Sequence, residues 1–182
     1  MKISEIRLPI VFLKPGELHM GTEHVAVHTV LGSCVSVTMY NPQSGLSAMC
    51  HGLLPHCGSE CGNCPEKMKY VECSIVHMID WFKKFGVDKS QIETKVFGGG
   101  DVLDYSKGSC VNILPPARKR QSVGSQNIEA ALKVLNEAGF KISAKDIGGS
   151  LGRKMFFFTD NGEVLLRKIK KRCTSSQTQM AY

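Results

Sequence analysis

Two apolar, β-branched runs, Val25 to Leu31 and Val35 to Tyr40, meet at Gly32-Ser33-Cys34. Runs of this length and composition read as strands, and Gly-Ser between them marks a tight bend. A third apolar run, Leu46 to His51, follows the turn signal Asn41-Pro42-Gln43-Ser44-Gly45. Strand, turn, strand, turn, strand with short connections predicts an antiparallel meander. Such a meander sets Cys34, at the first bend, beside His51, at the end of the third run.

That pair has a chemistry. A free thiol titrates near ~8.5 and is mostly protonated at neutral pH. A neighbouring imidazole that takes the proton leaves a thiolate nucleophile, and the pairing is expected to lower the Cys34 pKa. A third group then fixes the imidazole tautomer, and Thr29 is the candidate. The plainer alternative is that Cys34 is a buried structural thiol, because free cysteine is among the most buried residue types. Eight cysteines and six histidines also supply accidental pairs.

The rest of the chain supplies the frame. Ile10 to Leu13 reads as a short strand. Val71, Ile75, Met78, Ile79, Phe82 and Phe85 recur at helical spacing and predict a helix over Tyr70 to Phe85, stopped by Gly86. A second helix is predicted from Ser125 to Ala138, with Ala130, Ala131, Val134 and Leu135 as its apolar stripe and Gly139 after it. Ile92 to Phe97, Phe140 to Ile147, Lys154 to Thr159 and Glu163 to Ile169 read as strands, the last two joined by a turn at Asp160-Asn161-Gly162. Asp101 to Gln121 is loop-rich. Strands and helices are not regularly interleaved, so the fold class is α+β. One domain over residues 1–173 is expected, with a polar, disordered tail at 174–182.

Composition narrows the function. No stretch approaches the ~20 apolar residues of a membrane span, and the first residues lack a signal-peptide core, so a cytoplasmic protein without membrane insertion is expected. The net charge of +7 raises nucleic acid as a partner. No recognised nucleic-acid motif accompanies it and aromatics are only 7%, so docking onto an acidic protein is preferred. The glycine clusters at Gly98 to Gly100 and at Gly148-Gly149 with Gly152 fit no phosphate-loop pattern and read as strand exits, some walling the active site. Cys57, Cys61 and Cys64 lie in one loop beside His56. Zinc held by these three with Cys73 or His56 is one reading, and idle surface thiols the other. The expected site contains no metal and no cofactor.

Leu31-Gly32-Ser33-Cys34-Val35-Ser36-Val37, followed by His51-Gly52-Leu53-Leu54-Pro55, resembles the signature of the chemoreceptor glutamine deamidases, the CheD family. Lys95 to Gly100 and Gly148 to Phe157 are similar to that family too, and the resemblance runs from about Val11 to Ile169. It implies two packed mixed or antiparallel β-sheets flanked by helices, a cysteine-hydrolase-like arrangement with the cysteine and histidine at one edge. It implies Cys34 as nucleophile, His51 as base and Thr29 as support of the histidine. Its implied substrates are glutamines of methyl-accepting chemotaxis receptors, and its implied partner a CheC-type phosphatase. The family requires no metal, and the three-cysteine loop is an addition to its pattern. Because side chains alternate along a strand, only one of His28 and Thr29 can face the site. Three other readings stay open: a Cys–His amidohydrolase with another substrate, a non-catalytic regulator of a chemotaxis phosphatase, and a basic nucleic-acid-binding domain.

Overall fold

The computed structural model describes residues 6–58, 64–102 and 121–169. Among these are nine strands: β1 (Ile10–Phe12), β2 (Leu18–Gly21), β3 (Ala26–Leu31), β4 (Val35–Tyr40), β5 (Ser47–Cys50), β6 (Glu93–Gly98), β7 (Ile142–Ile147), β8 (Gly152–Phe158) and β9 (Val164–Ile169). Two helices, α1 (Val71–Lys84) and α2 (Val123–Glu137), complete the set. Both mixed sheets carry one parallel pair. One has the order β1-β3-β8-β9, the other β2-β5-β4-β6-β7. The predicted α+β class with two sheets and flanking helices is the observed one.

Three layers follow from side-chain alternation. Val27 and Leu31 of β3 and Met155 and Phe157 of β8 point to the second sheet, where they meet Tyr40, Met49 and Phe97. The opposite face of that second sheet, through Val35, Val37, Met39, Ala48, Cys50 and Val96, packs on α1 and α2. Strand β4 is therefore covered on both faces, and all six of its residues are buried. Burying one such large side chain stabilises by about 1.5–3 kcal/mol. Both helices end alike. Gly86 (φ 71°) and Gly139 (φ 74°) take the left-handed conformation. Val87 N then bonds Phe82 O at 3.2 Å, and Phe140 N bonds Leu135 O at 2.8 Å. These are Schellman caps, which reclaim carbonyls that the helix leaves open.

The expected meander needs correction. β4 does pair with β5, but β3 lies in the other sheet. The Gly32-Ser33-Cys34 bend is a passage between sheets, not a hairpin. The reason is a partner distant in sequence: Gly32 O accepts from Gly100 N at 2.8 Å, so the bend is tied to the glycine run after β6. Strand β2 (Leu-His-Met-Gly) went unread, because no β-branched residue marks it. α2 is the crossover between the parallel strands β6 and β7. Most of the stretch expected as the loop Asp101 to Gln121, and the expected tail at 174–182, lie outside the described residues.

Buried Arg153 fastens the two sheets at one edge. From β8 its Nε and Nη2 donate to Asp146 Oδ1 on β7 at 2.8 and 2.7 Å, while Gly148 O and Leu151 O accept at 2.7 and 3.1 Å. Lys168 Nζ stands 3.2 Å from Asp146 Oδ2. Burial pushes the Asp146 carboxyl up, but its bonds from Arg153 and Lys168 outweigh this and hold it below the usual range. Asp146→Ala leaves the guanidinium buried without its carboxylate and is expected to cost about 3 kcal/mol in urea unfolding. The sign with pH follows from the lowered pKa: this stability is present at neutral pH and lost as pH falls through the folded-state value. The variant is expected to show less of that acid-induced loss.

Candidate active site

Thr29 points inward from β3 and is fully buried. Its Oγ1 donates to Leu13 O at 2.8 Å and lies 2.7 Å from His51 Nδ1. A hydroxyl has one proton, and here it is committed to the Leu13 carbonyl. The bond to the imidazole therefore has Nδ1–H as donor and Oγ1 as acceptor. That fixes the tautomer and leaves the lone pair on Nε2. Nε2 is buried and has no hydrogen-bond partner among the described residues. His28, the neighbouring residue, faces the other way. It stacks on Phe156 with centroids 4.3 Å apart, and its Nδ1 lies 2.9 Å from Met155 O. Of the two residues that alternation left open, Thr29 faces His51.

The backbone around His51 is fixed on both sides. His51 N donates to Glu17 O at 3.1 Å and Gly16 N to His51 O at 2.8 Å. Gly52 follows, and a Cβ there would lie 2.6 Å from Val71 Cγ2, so glycine lets α1 begin directly against the strand. Val35 and Gly52 exchange backbone bonds of 3.0 and 2.9 Å, in the register that pairs Thr38 with Met49. Continued along the chains, this register sets Ser36 opposite His51. Cys34 falls one diagonal step away on the same face, a separation that long side chains bridge.

The bend that carries Cys34 is held by glycines. Gly99 N donates to Cys34 O at 2.7 Å. Gly98 adopts φ 107°, and a Cβ on it would lie 2.2 Å from Cys34 O. No other residue fits there, which gives the Gly98 to Gly100 run its purpose as a wall of the site. From α2, Asn127 Nδ2 donates to Ser33 O at 2.9 Å and to Leu53 O at 2.8 Å. Sequence reasoning passed over Asn127. Its signal was a polar residue at i−3 and i−4 to Ala130 and Ala131, on an otherwise apolar stripe.

Electrostatics correct one expectation. Burial pushes the half-buried Cys34 thiol up from its ordinary value, with a backbone hydrogen bond opposing. Burial pushes His51 down, with the Leu13 backbone and the Glu17 carboxylate opposing. At neutral pH the resting pair is therefore neutral thiol and neutral imidazole, not the preformed thiolate that pairing alone suggested. Proton transfer then accompanies attack. Cys50, fully buried, is pushed up to about 11 and is an inert thiol.

Of the zinc set considered from sequence, Cys61 lies outside the described residues. Cys73 is disulfide-bonded, so it is no ligand here. His56 Nδ1 lies 3.0 Å from Glu72 Oε2. Among the described residues, no group of three or more His, Cys, Asp or Glu is placed to hold a metal ion. A surface cavity of about 600 Å³ lined by Asp88, Lys89, Glu93, Lys141 and Ser143, among others, contains none of Thr29, Cys34 and His51. The case for the site thus rests on hydrogen-bond geometry, not on concavity. No helix among the described residues is long and apolar enough to cross a membrane.

The neutral resting pair makes a measurable forecast. Iodoacetamide modification of Cys34, followed by peptide mapping, should accelerate into alkaline pH and not persist at mildly acidic pH. His51→Ala should slow it at neutral pH. Gly98→Ala, by displacing the Cys34 carbonyl, should lower both the Cys34 rate and the melting temperature.

Comparison with known proteins places the chain in a family. A family model described as CheD chemotactic sensory transduction matches residues 53–168, beginning just after His51 and Gly52. The chain is 41% identical over 165 residues to the probable chemoreceptor glutamine deamidase CheD 2 of Geobacter sulfurreducens, covering 91% of this chain and 93% of that protein. It is 34% identical over 174 residues to the probable chemoreceptor glutamine deamidase CheD of Maridesulfovibrio salexigens, covering 92% and 95%. A solved structure, the Bacillus licheniformis hypothetical protein YfiH, matches with a TM-score of 0.42 at 15% identity over 73% of this chain and 49% of that one, a likeness too slight to argue from. With more than half its length matched by the family model, and relatives aligned nearly end to end, the chain belongs to the CheD family of chemotactic sensory transduction proteins.

Proposed function

We propose that the protein is a cysteine-dependent protein-glutamine glutaminase that converts specific glutamines of methyl-accepting chemotaxis receptors to glutamate. The observation that carries the mechanism is the Thr29 hydroxyl, whose single proton goes to Leu13 O while it accepts from His51 Nδ1–H. That arrangement presents Nε2 as a base. The relatives described above are probable chemoreceptor glutamine deamidases, and the proposal carries their substrate class to this chain.

Cys34 Sγ attacks the side-chain amide carbon of glutamine as its proton passes to His51 Nε2. The carbonyl oxygen becomes an oxyanion, stabilised by backbone N–H groups of the Gly32-Ser33-Cys34 bend, since Val35 N already donates to Gly52 O. The imidazolium returns its proton to the amide nitrogen, because an amide anion is too poor a leaving group. Ammonia departs and a thioester remains. Water, deprotonated by Nε2, attacks the thioester, and glutamate leaves as the proton returns to Sγ. Thr29 acts throughout by holding the tautomer, and its bond strengthens as the imidazole becomes charged. The reading includes a cytoplasmic location, where receptor signalling domains are accessible, one catalytic domain over residues 1–173, and a CheC-type phosphatase as regulatory partner.

Mass spectrometry of a receptor cytoplasmic fragment, before and after incubation, tests the activity through the mass gain of Gln→Glu and matching ammonia release. Cys34→Ser is expected to abolish conversion. His51→Ala should cost about 10²–10⁴-fold, the range for a general base. The two together should be strongly non-additive. Thr29→Ala should cost about 10-fold or more, as for groups that orient a histidine, but less than loss of His51. His28→Ala should leave the rate near that of the unaltered protein. Substantial conversion by Cys34→Ser would sink the thiol mechanism.

A further inference from the structure

We infer that Asn127 is a positioning residue for this site: its side-chain amide fixes the spacing between the Cys34 bend and the His51 strand. The inference rests on the roles proposed for Cys34 and His51. The β4–β5 backbone pairing reaches its last rung at Val35 and Gly52, with bonds of 3.0 and 2.9 Å. Beyond that rung the two chains turn to other partners. Leu53 N donates to Lys69 O at 2.8 Å, and Cys34 O accepts from Gly99 N at 2.7 Å. Cys34 thus lies just past the end of the ladder. Without a further tie, only the Val35–Gly52 rung would link the bend directly to the strand that bears His51, because the bonds to Gly99 and Gly100 hold it to β6 instead.

Asn127 supplies that tie. Nδ2 donates one proton to Ser33 O at 2.9 Å and the other to Leu53 O at 2.8 Å. Two carbonyls cannot bond each other, so a group with two donors is needed between them. An amide nitrogen meets that need where a hydroxyl does not. The orientation is unambiguous, since a flipped amide would set Oδ1 against both carbonyls. Oδ1 itself is buried with no partner among the described residues, and Asn127 is fully buried. A stranded buried acceptor is a cost that an apolar residue on this stripe would not carry. The helix that presents the amide is pressed onto the site. A Cβ on Gly124 would lie 2.6 Å from Gly99 O, and one on Gly99 would lie 2.4 Å from Ile128 Cγ1. Misplacing reacting groups by about an ångström can cost about 10²-fold in rate.

Iodoacetamide labelling of Cys34 at neutral pH, read by peptide mapping, tests this without substrate. In Asn127→Ala the rate should fall about 10-fold, toward that of His51→Ala, and the double variant should label no more slowly than His51→Ala alone. Leu135→Ala, a fully buried change on the same helix, should lower the melting temperature yet leave the Cys34 rate unaltered. Asn127→Ser, which keeps one donor, carries the same test if the alanine variant does not fold. Labelling of Asn127 variants at the unaltered rate, additive slowing in the double variant, or equal slowing by Leu135→Ala would each overturn the inference. Labelling that depends on His51 but not on Asn127 overturns it and leaves the proposed function standing. Labelling that depends on both, with no receptor deamidation, sinks the proposed function and supports the positioning role.

Discussion

The site depends on the two bonds of one hydroxyl. Thr29 Oγ1 donates a hydrogen bond to Leu13 O and accepts one from His51 Nδ1–H, at 2.8 and 2.7 Å. Thr29 belongs to one sheet, and His51 extends a strand of the other. The contact therefore crosses the interface between the layers, and the packing of Val27, Leu31 and Met155 against Tyr40, Met49 and Phe97 sets its length. A small polar contact is held to tolerance by a large apolar one, because close-packed interiors have little room to drift.

Around that contact the chain uses glycine where side chains would intrude. Gly52 admits Val71, and Gly98 admits the Cys34 carbonyl. Neither is a flexible hinge in this setting, because Gly52 exchanges backbone bonds with Val35 and Gly98 O accepts from Gly148 N. Their lack of a Cβ is used for proximity. The cost is conformational entropy on folding, which the surrounding burial offsets.

Much of this was legible in the residues. Strand and helix positions followed from periodicity and from turn chemistry at Asn41 to Gly45 and at Gly86, which are local signals. Cys34 and His51 stood out because their runs ended at bends. What sequence did not carry was partnership. Whether β3 pairs with β4 depends on competition from β8 and β6, residues more than fifty positions away, and the bend alone does not encode that outcome. The choice between His28 and Thr29 was open for the same reason, since alternation divides a strand into two faces without saying which is inside. Asn127 and the Arg153–Asp146 bond were out of reach because their meaning lies in carbonyls and carboxylates brought together from distant strands. The resting charges of Cys34 and His51 were misjudged because pairing was weighed without burial.

The span of the Asn127 contacts bears on how the enzyme comes to exist. Its two carbonyl partners are 94 and 74 residues away in the chain, whereas the thiol and imidazole themselves are near neighbours in sequence. During synthesis, Cys34 and His51 emerge early, well before α2 exists to space them, and before β8 can pair with the strand that carries Thr29. On the proposed mechanism, a partly folded chain therefore holds the thiol and the imidazole unaligned. Deamidation by the proposed pair then waits for α2 and β8 to dock.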